Sequence, residues 1–238
     1  MADSGIAWRL VAVTRGPVRW FPGRDSLPPS ARRGMLVRSL PDASYPVNYL
    51  AHALLSQPDD AALLGNLAGD HVKGPLGGQP LHPRVAAGVR RHRRVDALTD
   101  AQPAYRRALA RFPAGQRRFA GVALDIVFDH FLCGHWARFS AVPLAAFRGE
   151  VYRVIHAHPH WLPPGFAAFA PAWAEARWLE ACETLDGVDA VLARLAARRR
   201  RPLPRRPLMA TLREEQRVLE AAFLDVFPAV RAALPEAD

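Results

Sequence analysis

One stretch of the chain, residues 116–139, strongly limits how the protein can fold. At helical spacing its residues leave almost no polar face, and its apolar members include Val122, Leu124, Ile126, Val127, Phe128, Phe131, Leu132 and Trp136. A helix that is apolar on all sides is stable in water only when other elements cover it. The stretch therefore predicts a central helix with further helices packed around it.

The rest of the chain from residue 47 onward is also helical in pattern. Helices are predicted over about 47–56, 59–70, 83–99, 103–113, 143–157, 171–184 and 208–233, with a Pro- and Arg-rich break at 198–207. There is no alternating strand pattern and no internal repeat. Only two cysteines are present, which excludes a disulfide scaffold, and no apolar run approaches the roughly 18 residues of a membrane span. The sequence predicts an all-α fold, a single helical domain over 47–238.

Residues 1–46 differ in pattern from the rest of the chain. Six prolines interrupt them, no apolar period persists, and no continuous apolar segment of a signal peptide is present. Seven arginines against three aspartates give this segment a balance of +4. We expect a disordered extension, and without a signal peptide or membrane span we expect a cytoplasmic protein.

Two carboxylates lie on the apolar central stretch. Asp125 and Asp129 are four residues apart and therefore share one face of the predicted helix. Two like charges in an apolar surround repel each other and lose hydration, so that one would take up a proton unless a cation lies nearby. An arginine from a neighbouring helix and a divalent metal ion are both consistent with the pair.

Other helices carry further polar residues on apolar faces. In helix 83–99, His92 and Asp96 continue the face begun by Val85 and Val89. A satisfied His–Asp hydrogen bond in the core is the structural interpretation of this pair, and metal binding is the functional one. His52 lies among leucines on helix 47–56, where a lone histidine is commonly structural.

The predicted helix 59–70 adds one more carboxylate. Asp70 shares a face with Asn66, beside Gly65 and Gly69, and such small residues allow another group to approach closely. Histidines and carboxylates from several helices form a typical ligand set for a divalent ion, and the absence of thiolates favours manganese, magnesium or iron over structural zinc. The predicted ligands are His52, Asp70, His92, Asp96, Asp125 and Asp129, with His130 as a weaker candidate.

The chain is strongly basic. Its net charge is +10, of which +6 falls outside residues 1–46, and this balance indicates an anionic partner. Four arginines, at 90, 91, 93 and 94, bracket His92. A solvated basic face is one interpretation. In the other, Arg93 and Arg94 orient a phosphate while Arg90 and Arg91 form a docking surface.

Four ordered motifs resemble those of the acyl carrier protein phosphodiesterases. They are VNYLAHALLS at 47–56, LLGNLAGDHVKG at 63–74, GVRRHRRVDALTD at 88–100 and LDIVFDHFLCGHW at 124–136, and LEAAFLDVFP at 219–228 is similar to the family's last helix. The resemblance covers about 47–235. One departure is Gly-Asp-His at 69–71, where the family usually has Ala-Asp-Phe.

This resemblance implies an enzyme that hydrolyses the phosphodiester joining 4′-phosphopantetheine to a serine of holo acyl carrier protein, and an all-α fold related to HD-type metal phosphohydrolases. It implies a divalent metal, typically Mn²⁺, with Mg²⁺, Fe²⁺ and Co²⁺ as alternatives, and an acidic carrier protein as partner. The matching residues are His52, Asp70, His92, Asp96, Asp125, Asp129 and His130. We predict catalytic roles for Asp70, His92, Arg93 and Arg94, and carrier-protein contacts for Arg90 and Arg91.

Two other classes stay open at this point, a metal phosphohydrolase of nucleotides and a basic helical nucleic-acid-binding protein. The second would need no carboxylates on apolar helices, which counts against it. The family's opening Met-Asn-Phe-Leu-Ala-His corresponds to the run that begins at Val47, and valine is the residue a GTG start codon encodes internally. We therefore expect residues 1–46 to be a mis-annotated extension, dispensable if made.

Overall fold

The computed structural model describes residues 48–198 and 202–235, which belong to one compact unit. The described residues form helices and no strand, so the all-α prediction is confirmed. Within these residues there are twelve α-helices: α1 Tyr49–Leu54, α2 Asp60–Leu67, α3 Pro83–Ala101, α4 Pro103–Ala110, α5 Arg117–Gly134, α6 Leu144–Ala157, α7 Pro164–Ala167, α8 Ala170–Glu175, α9 Trp178–Ala181, α10 Leu185–Arg198, α11 Arg205–Glu214 and α12 Gln216–Ala233. Three short 3₁₀ helices, Gly69–His71, Trp136–Arg138 and Pro159–Trp161, complete the set. No described helix is both long and apolar enough to cross a membrane.

Helix α5 is the central element, as its apolar pattern predicted. It packs against α1, α4, α10, α11 and α12. Leu124, Ile126, Val127 and Leu132 on this helix have no solvent exposure. Burial of side chains of this size contributes about 1.5–3 kcal/mol each, so α5 supplies much of the hydrophobic stabilisation.

Helices α2 and α3 pack unusually closely because glycines lie between them. A Cβ on Gly65 would stand 2.0 Å from the carbonyl oxygen of Val85, and one on Gly88 would stand 2.0 Å from that of Ala62. No larger side chain fits either position without moving the backbone. The prediction that small residues on helix 59–70 admit a close neighbour is confirmed.

Several predicted boundaries are wrong. The last helix, predicted over 208–233, is two helices, because the chain turns at Glu215 between α11 and α12. The predicted helix 171–184 is also divided, by Arg177 in the left-handed region at φ 50°. Helix α10 was not predicted, and α11 begins inside the predicted 198–207 break. The predicted extension at 1–46 lies outside the described residues.

Candidate metal centre

The predicted site is assembled from two helices and one 3₁₀ turn. Helix α1 contributes His52, helix α3 contributes His92 and Asp96 one turn apart, and the turn after α2 contributes Asp70. Nε2 of His52 lies 3.2 Å from Oδ1 of Asp96, and Nε2 of His92 lies 3.2 Å from Oδ2 of the same carboxylate. Nε2 of His92 also lies 3.6 Å from Oδ1 of Asp70. Four of the predicted ligands therefore meet in one place.

The two imidazoles are stacked and buried while the carboxylates reach solvent. The ring centroids of His52 and His92 are 4.0 Å apart. The side chains of these histidines are 2% and 3% exposed, whereas those of Asp96 and Asp70 are 45% and 35% exposed. Gly69 makes this arrangement possible, since a Cβ there would lie 2.1 Å from the His92 ring. The histidine side of the cluster is thus buried, and its carboxylate side is open to solvent.

Asn66 anchors both histidines from behind. Its side-chain Nδ2 donates to the backbone carbonyl of His52 at 2.8 Å, and its Oδ1 lies 3.0 Å from Nδ1 of His52. The backbone carbonyl of Asn66 lies 2.8 Å from Nδ1 of His92. The sequence pattern placed Asn66 on the same helix face as Asp70 but did not reveal this role. Nothing in the spacing of an asparagine beside glycines indicates that its side chain contacts a histidine.

These residues fit a divalent metal ion. The Nε2 atoms of His52 and His92 are buried and have no hydrogen-bond partner of good geometry, although both face Asp96. One ligand atom from each of His52, His92 and Asp96 lies within 4.8 Å of the others. Metal-binding histidines commonly donate the N–H of their other ring nitrogen to a carbonyl, and Nδ1 of His92 faces the backbone carbonyl of Asn66 in this way. Imidazole with carboxylate suits borderline and hard divalent ions.

The metal-free cluster is electrostatically coupled. Burial opposes the charged form of His92, but the carboxylates of Asp70 and Asp96 outweigh it and raise the pKa of His92 to about 9. Burial and the charge of His92 lower the pKa of His52. Burial would raise the pKa of Asp96, yet the two imidazoles hold it below its ordinary value. Without metal, one proton on His92 therefore compensates part of the negative charge.

Asp125 lies near the cluster, on the central helix. Its Oδ1 accepts a hydrogen bond from the hydroxyl of Tyr105 at 3.4 Å. Burial, together with the charges of Asp96, Asp70 and Asp129, raises the pKa of Asp125 well above its ordinary value. The negative charges of Asp70 and Asp96 thus act on the Asp125 carboxyl group. Its role as a metal ligand stays a prediction.

Asp129 and His130 make other contacts. Both oxygens of Asp129 accept backbone N–H groups at the start of α1, from Leu50 and Ala51, each at 2.9 Å. Burial raises the pKa of Asp129 to about 7, although these two donors act in the opposite direction. Nδ1 of His130 lies 2.9 Å from the carbonyl oxygen of Cys182. Neither is in the group of ligand atoms that the structure brings together, and their predicted metal roles stay untested.

The four arginines around His92 divide into two kinds. Nη2 of Arg93 donates to the carbonyls of Val72 and Gly74, at 2.9 and 2.8 Å, and so holds the loop after Asp70. The guanidinium of Arg91 donates to the carbonyl of Leu55 and, at 3.0 Å, to that of Pro235. Arg90 and Arg94 are exposed. They line a groove of about 630 Å³ whose other walls include Gln57, Asp59, Arg84, Arg91 and Pro235.

Fold and site together define an all-helical protein with a candidate divalent-metal centre. A family model described as acyl carrier protein phosphodiesterase matches residues 47–230, which is most of the chain. The chain belongs to the acyl carrier protein phosphodiesterase family.

Curated relatives agree with this assignment. The chain is 38% identical over 184 residues to the acyl carrier protein phosphodiesterase of Serratia proteamaculans, an alignment that covers 76% of this chain and 94% of the relative. Identity to the Yersinia pestis protein of the same name is 36%, with the same coverage. Identity to the Salmonella agona protein is 35%, covering 78% of this chain and 96% of the relative. No solved structure matches, so the HD-type relationship stays a prediction.

Proposed function

We propose that this chain hydrolyses the phosphodiester between 4′-phosphopantetheine and a serine of holo acyl carrier protein, and that it needs a divalent metal to do so. The observation that carries the proposal is the pair of buried, unbonded Nε2 atoms of His52 and His92 facing Asp96. Family membership supplies the substrate class. A cytoplasmic location is part of the same proposal, supported by free cysteines at 133 and 182.

The metal would be held by His52, His92 and Asp96, with Asp70 next to them. We propose Mn²⁺ as the physiological ion, because two imidazoles and carboxylates without thiolate form a borderline-to-hard ligand set. A bound divalent ion supplies positive charge that polarises a phosphoryl oxygen and makes water more acidic.

The chain's own residues have separate tasks around that ion. Burial would raise the pKa of Asp70, but the His92 imidazole outweighs it and holds that pKa below its ordinary value. This carboxylate is therefore ionised at neutral pH, and being partly exposed it can accept a hydrogen bond from an attacking water and orient it. Arg93 keeps the loop after Asp70 in place through its two carbonyl contacts. We propose that it acts on the substrate through Asp70 and the loop.

The basic groove beside α3 is the proposed docking surface for the carrier protein. Arg84, Arg90, Arg91 and Arg94 face one carboxylate there, Asp59, so the lining is positive. Arg84 pairs with Asp59 at 2.6 Å, and the guanidinium of Arg91 is engaged by two carbonyls. Arg90 and Arg94 are therefore the groove cations best placed to meet an acidic partner, and such contacts chiefly speed association. For Arg94 this proposal replaces the phosphate-orienting role predicted from the sequence, and Arg91 is replaced by Arg94 as the second docking residue.

The test is to incubate the full chain with holo carrier protein and Mn²⁺ and to record the intact mass of the carrier. We expect loss of the phosphopantetheine mass.

Asp96→Asn, nearly isosteric but a weaker ligand, should reduce kcat/KM by about 100-fold or more. Arg90→Glu should instead raise KM with little change in kcat.

Two results would contradict the proposal. One is an unchanged carrier mass with Mn²⁺, Mg²⁺, Fe²⁺ and Co²⁺ alike. The other is metal-dependent hydrolysis of free nucleotides with no turnover of the carrier, which would favour the nucleotide phosphohydrolase alternative.

A further inference from the structure

Asn66 is the residue on which both cluster histidines depend. It lies in α2, its side chain has no solvent exposure, and α1 and α3 flank it. It makes three contacts with the histidines: two from its side chain to His52 and one from its backbone carbonyl to His92. A buried asparagine whose side-chain amide contacts both the ring and the backbone carbonyl of one histidine, and whose backbone carbonyl meets the ring of the other, requires an explanation.

The contacts determine which ring nitrogen of each histidine carries a proton. The carbonyl of His52 can only accept, so the atom 2.8 Å away from it must be the Asn66 amide nitrogen. The amide oxygen therefore faces Nδ1 of His52, and that nitrogen must be the donor. Nδ1 of His92 faces a backbone carbonyl and must donate as well. In a neutral imidazole with a proton on Nδ1, the lone pair is on Nε2.

We infer that Asn66 is a positioning residue that holds His52 and His92 with their protons on Nδ1, so that both Nε2 lone pairs point toward Asp96 and can bind one metal ion. The inference rests on the metal site of the proposed function. It goes beyond it by naming a residue that touches neither metal nor substrate and acts through two ligands at once. Such outer partners commonly change metal affinity by about 10- to 100-fold.

Asn66 contacts the two rings through different groups. A positioning role can therefore be distinguished experimentally from a role in packing alone. His52 depends on the side chain of Asn66, whereas His92 depends on its backbone carbonyl. A side-chain substitution should therefore change His52 and leave His92 as an internal control within the same molecule. A residue of α2 that only fills space against α1 and α3 would affect both rings alike, or neither.

The experiment uses imidazole ¹⁵N NMR on the full metal-free chain over a pH series, and each ring is read on the alkaline plateau, where its shifts no longer change with pH and the ring is neutral. In the parent chain we expect both rings to carry the proton on Nδ1. In Asn66→Leu, which has a similar shape but no acceptor, His52 should shift toward protonation on Nε2 while His92 keeps its Nδ1 proton. Asn66→Asp retains an acceptor oxygen for Nδ1 of His52 and should preserve the proton there, although it loses the donor to the His52 carbonyl and should be less stable than the parent chain. Helical circular dichroism shows whether each variant is folded.

Mn²⁺ titration, followed by the paramagnetic resonance of the free ion, gives the second readout. Asn66→Leu should weaken Mn²⁺ binding by about 10- to 100-fold, and Asn66→Asp, which keeps only the acceptor contact, should recover part of that loss. An unchanged His52 ring in folded Asn66→Leu, or an equal change in both rings, overturns the inference. If the parent chain binds no Mn²⁺ but the ring protons follow the expected pattern, the metal part of the proposed function fails while the positioning role of Asn66 stands.

Discussion

At the residue scale, we expect the proton on His92 to govern metal binding. A metal ion needs the neutral ring, while Asp70 and Asp96 raise the pKa of His92 to about 9 in the metal-free protein. Below that pH each bound ion must displace one proton, so affinity increases with pH. We expect the Kd for Mn²⁺ to fall about tenfold per pH unit between roughly pH 6.5 and 8.5, and to level off near the His92 pKa. Calorimetry in buffers of different ionisation enthalpy measures the proton released. A pH-independent Kd with no proton release would contradict this expectation.

Asp129 presents a second residue-scale test, because its two oxygens hold the N-terminus of α1. Asp129→Ala leaves the backbone N–H groups of Leu50 and Ala51 without their acceptor. Each lost hydrogen bond costs about 1–3 kcal/mol of unfolding free energy. Helix α1 also carries His52, so metal affinity should fall as well. Asp129→Asn keeps one acceptor oxygen and should lose about half as much stability. Urea unfolding with and without Mn²⁺ measures both effects. If Asp129→Ala loses bound metal with no loss of metal-free stability, Asp129 is a ligand, as its helix position first predicted.

The site could be predicted from the sequence to the extent that burial forces polar residues to have partners. His52, Asp70, His92 and Asp96 interrupt apolar helical faces, which made them candidates, and the structure brings the four together. The same conflict also selected Asp129 and His130, which make other contacts, and metal binding by any of these residues stays a prediction. Asn66 and Arg93 could not be assigned roles in the same way. Their contacts are with backbone carbonyls and ring nitrogens, whose positions depend on how three elements pack and leave no trace in residue spacing.

At the element scale, the close packing of α2 and α3 sets the geometry of the site. Gly88→Ala places a Cβ 2.0 Å from the carbonyl oxygen of Ala62, so the two helices must separate. We expect a loss of about 1–3 kcal/mol in unfolding free energy and weaker Mn²⁺ binding, because Asn66 and His92 would no longer meet. Gly149→Ala in α6 is the matched control, since a Cβ there meets nothing within 4 Å. The control should be neutral or more stable by up to about 1 kcal/mol. Equal thermal stability of the two variants would show that the α2–α3 spacing is not critical.

Helix boundaries show where element-scale prediction from sequence ends. The apolar pattern over 208–233 continues through the turn at Glu215, because both α11 and α12 direct apolar residues such as Leu212 and Leu219 into the same core. Periodicity reports which side chains are buried, and it stays in phase when two helices meet end to end. In contrast, α3 begins at Pro83 and α4 at Pro103, both as predicted, since proline favours the first turn of a helix.

At the scale of the whole molecule, the fold follows from the central helix, and the remaining question is how much of the chain is needed. The hydrophobic core of the described residues begins at Tyr49, and the family model matches from residue 47. We propose that residues 1–46 are dispensable for the reaction.

Residues 47–238 expressed alone should therefore keep the Tm, the Mn²⁺ affinity and the kcat of the full chain. The segment carries seven arginines against three aspartates, so its removal lowers the net charge from +10 to +6. Any difference toward an acidic carrier protein should then appear in KM at low salt and vanish as salt screens the charges, since exposed charges act over about 10 Å at 0.1 M salt. Thermal unfolding and a salt series of kcat/KM measure these effects. The N-terminal peptide of the native protein, read by mass spectrometry, supplies an independent check. A lower Tm for the shortened chain, or a native N-terminus within 1–46 combined with a lower kcat on its removal, would show that the segment belongs to the working protein.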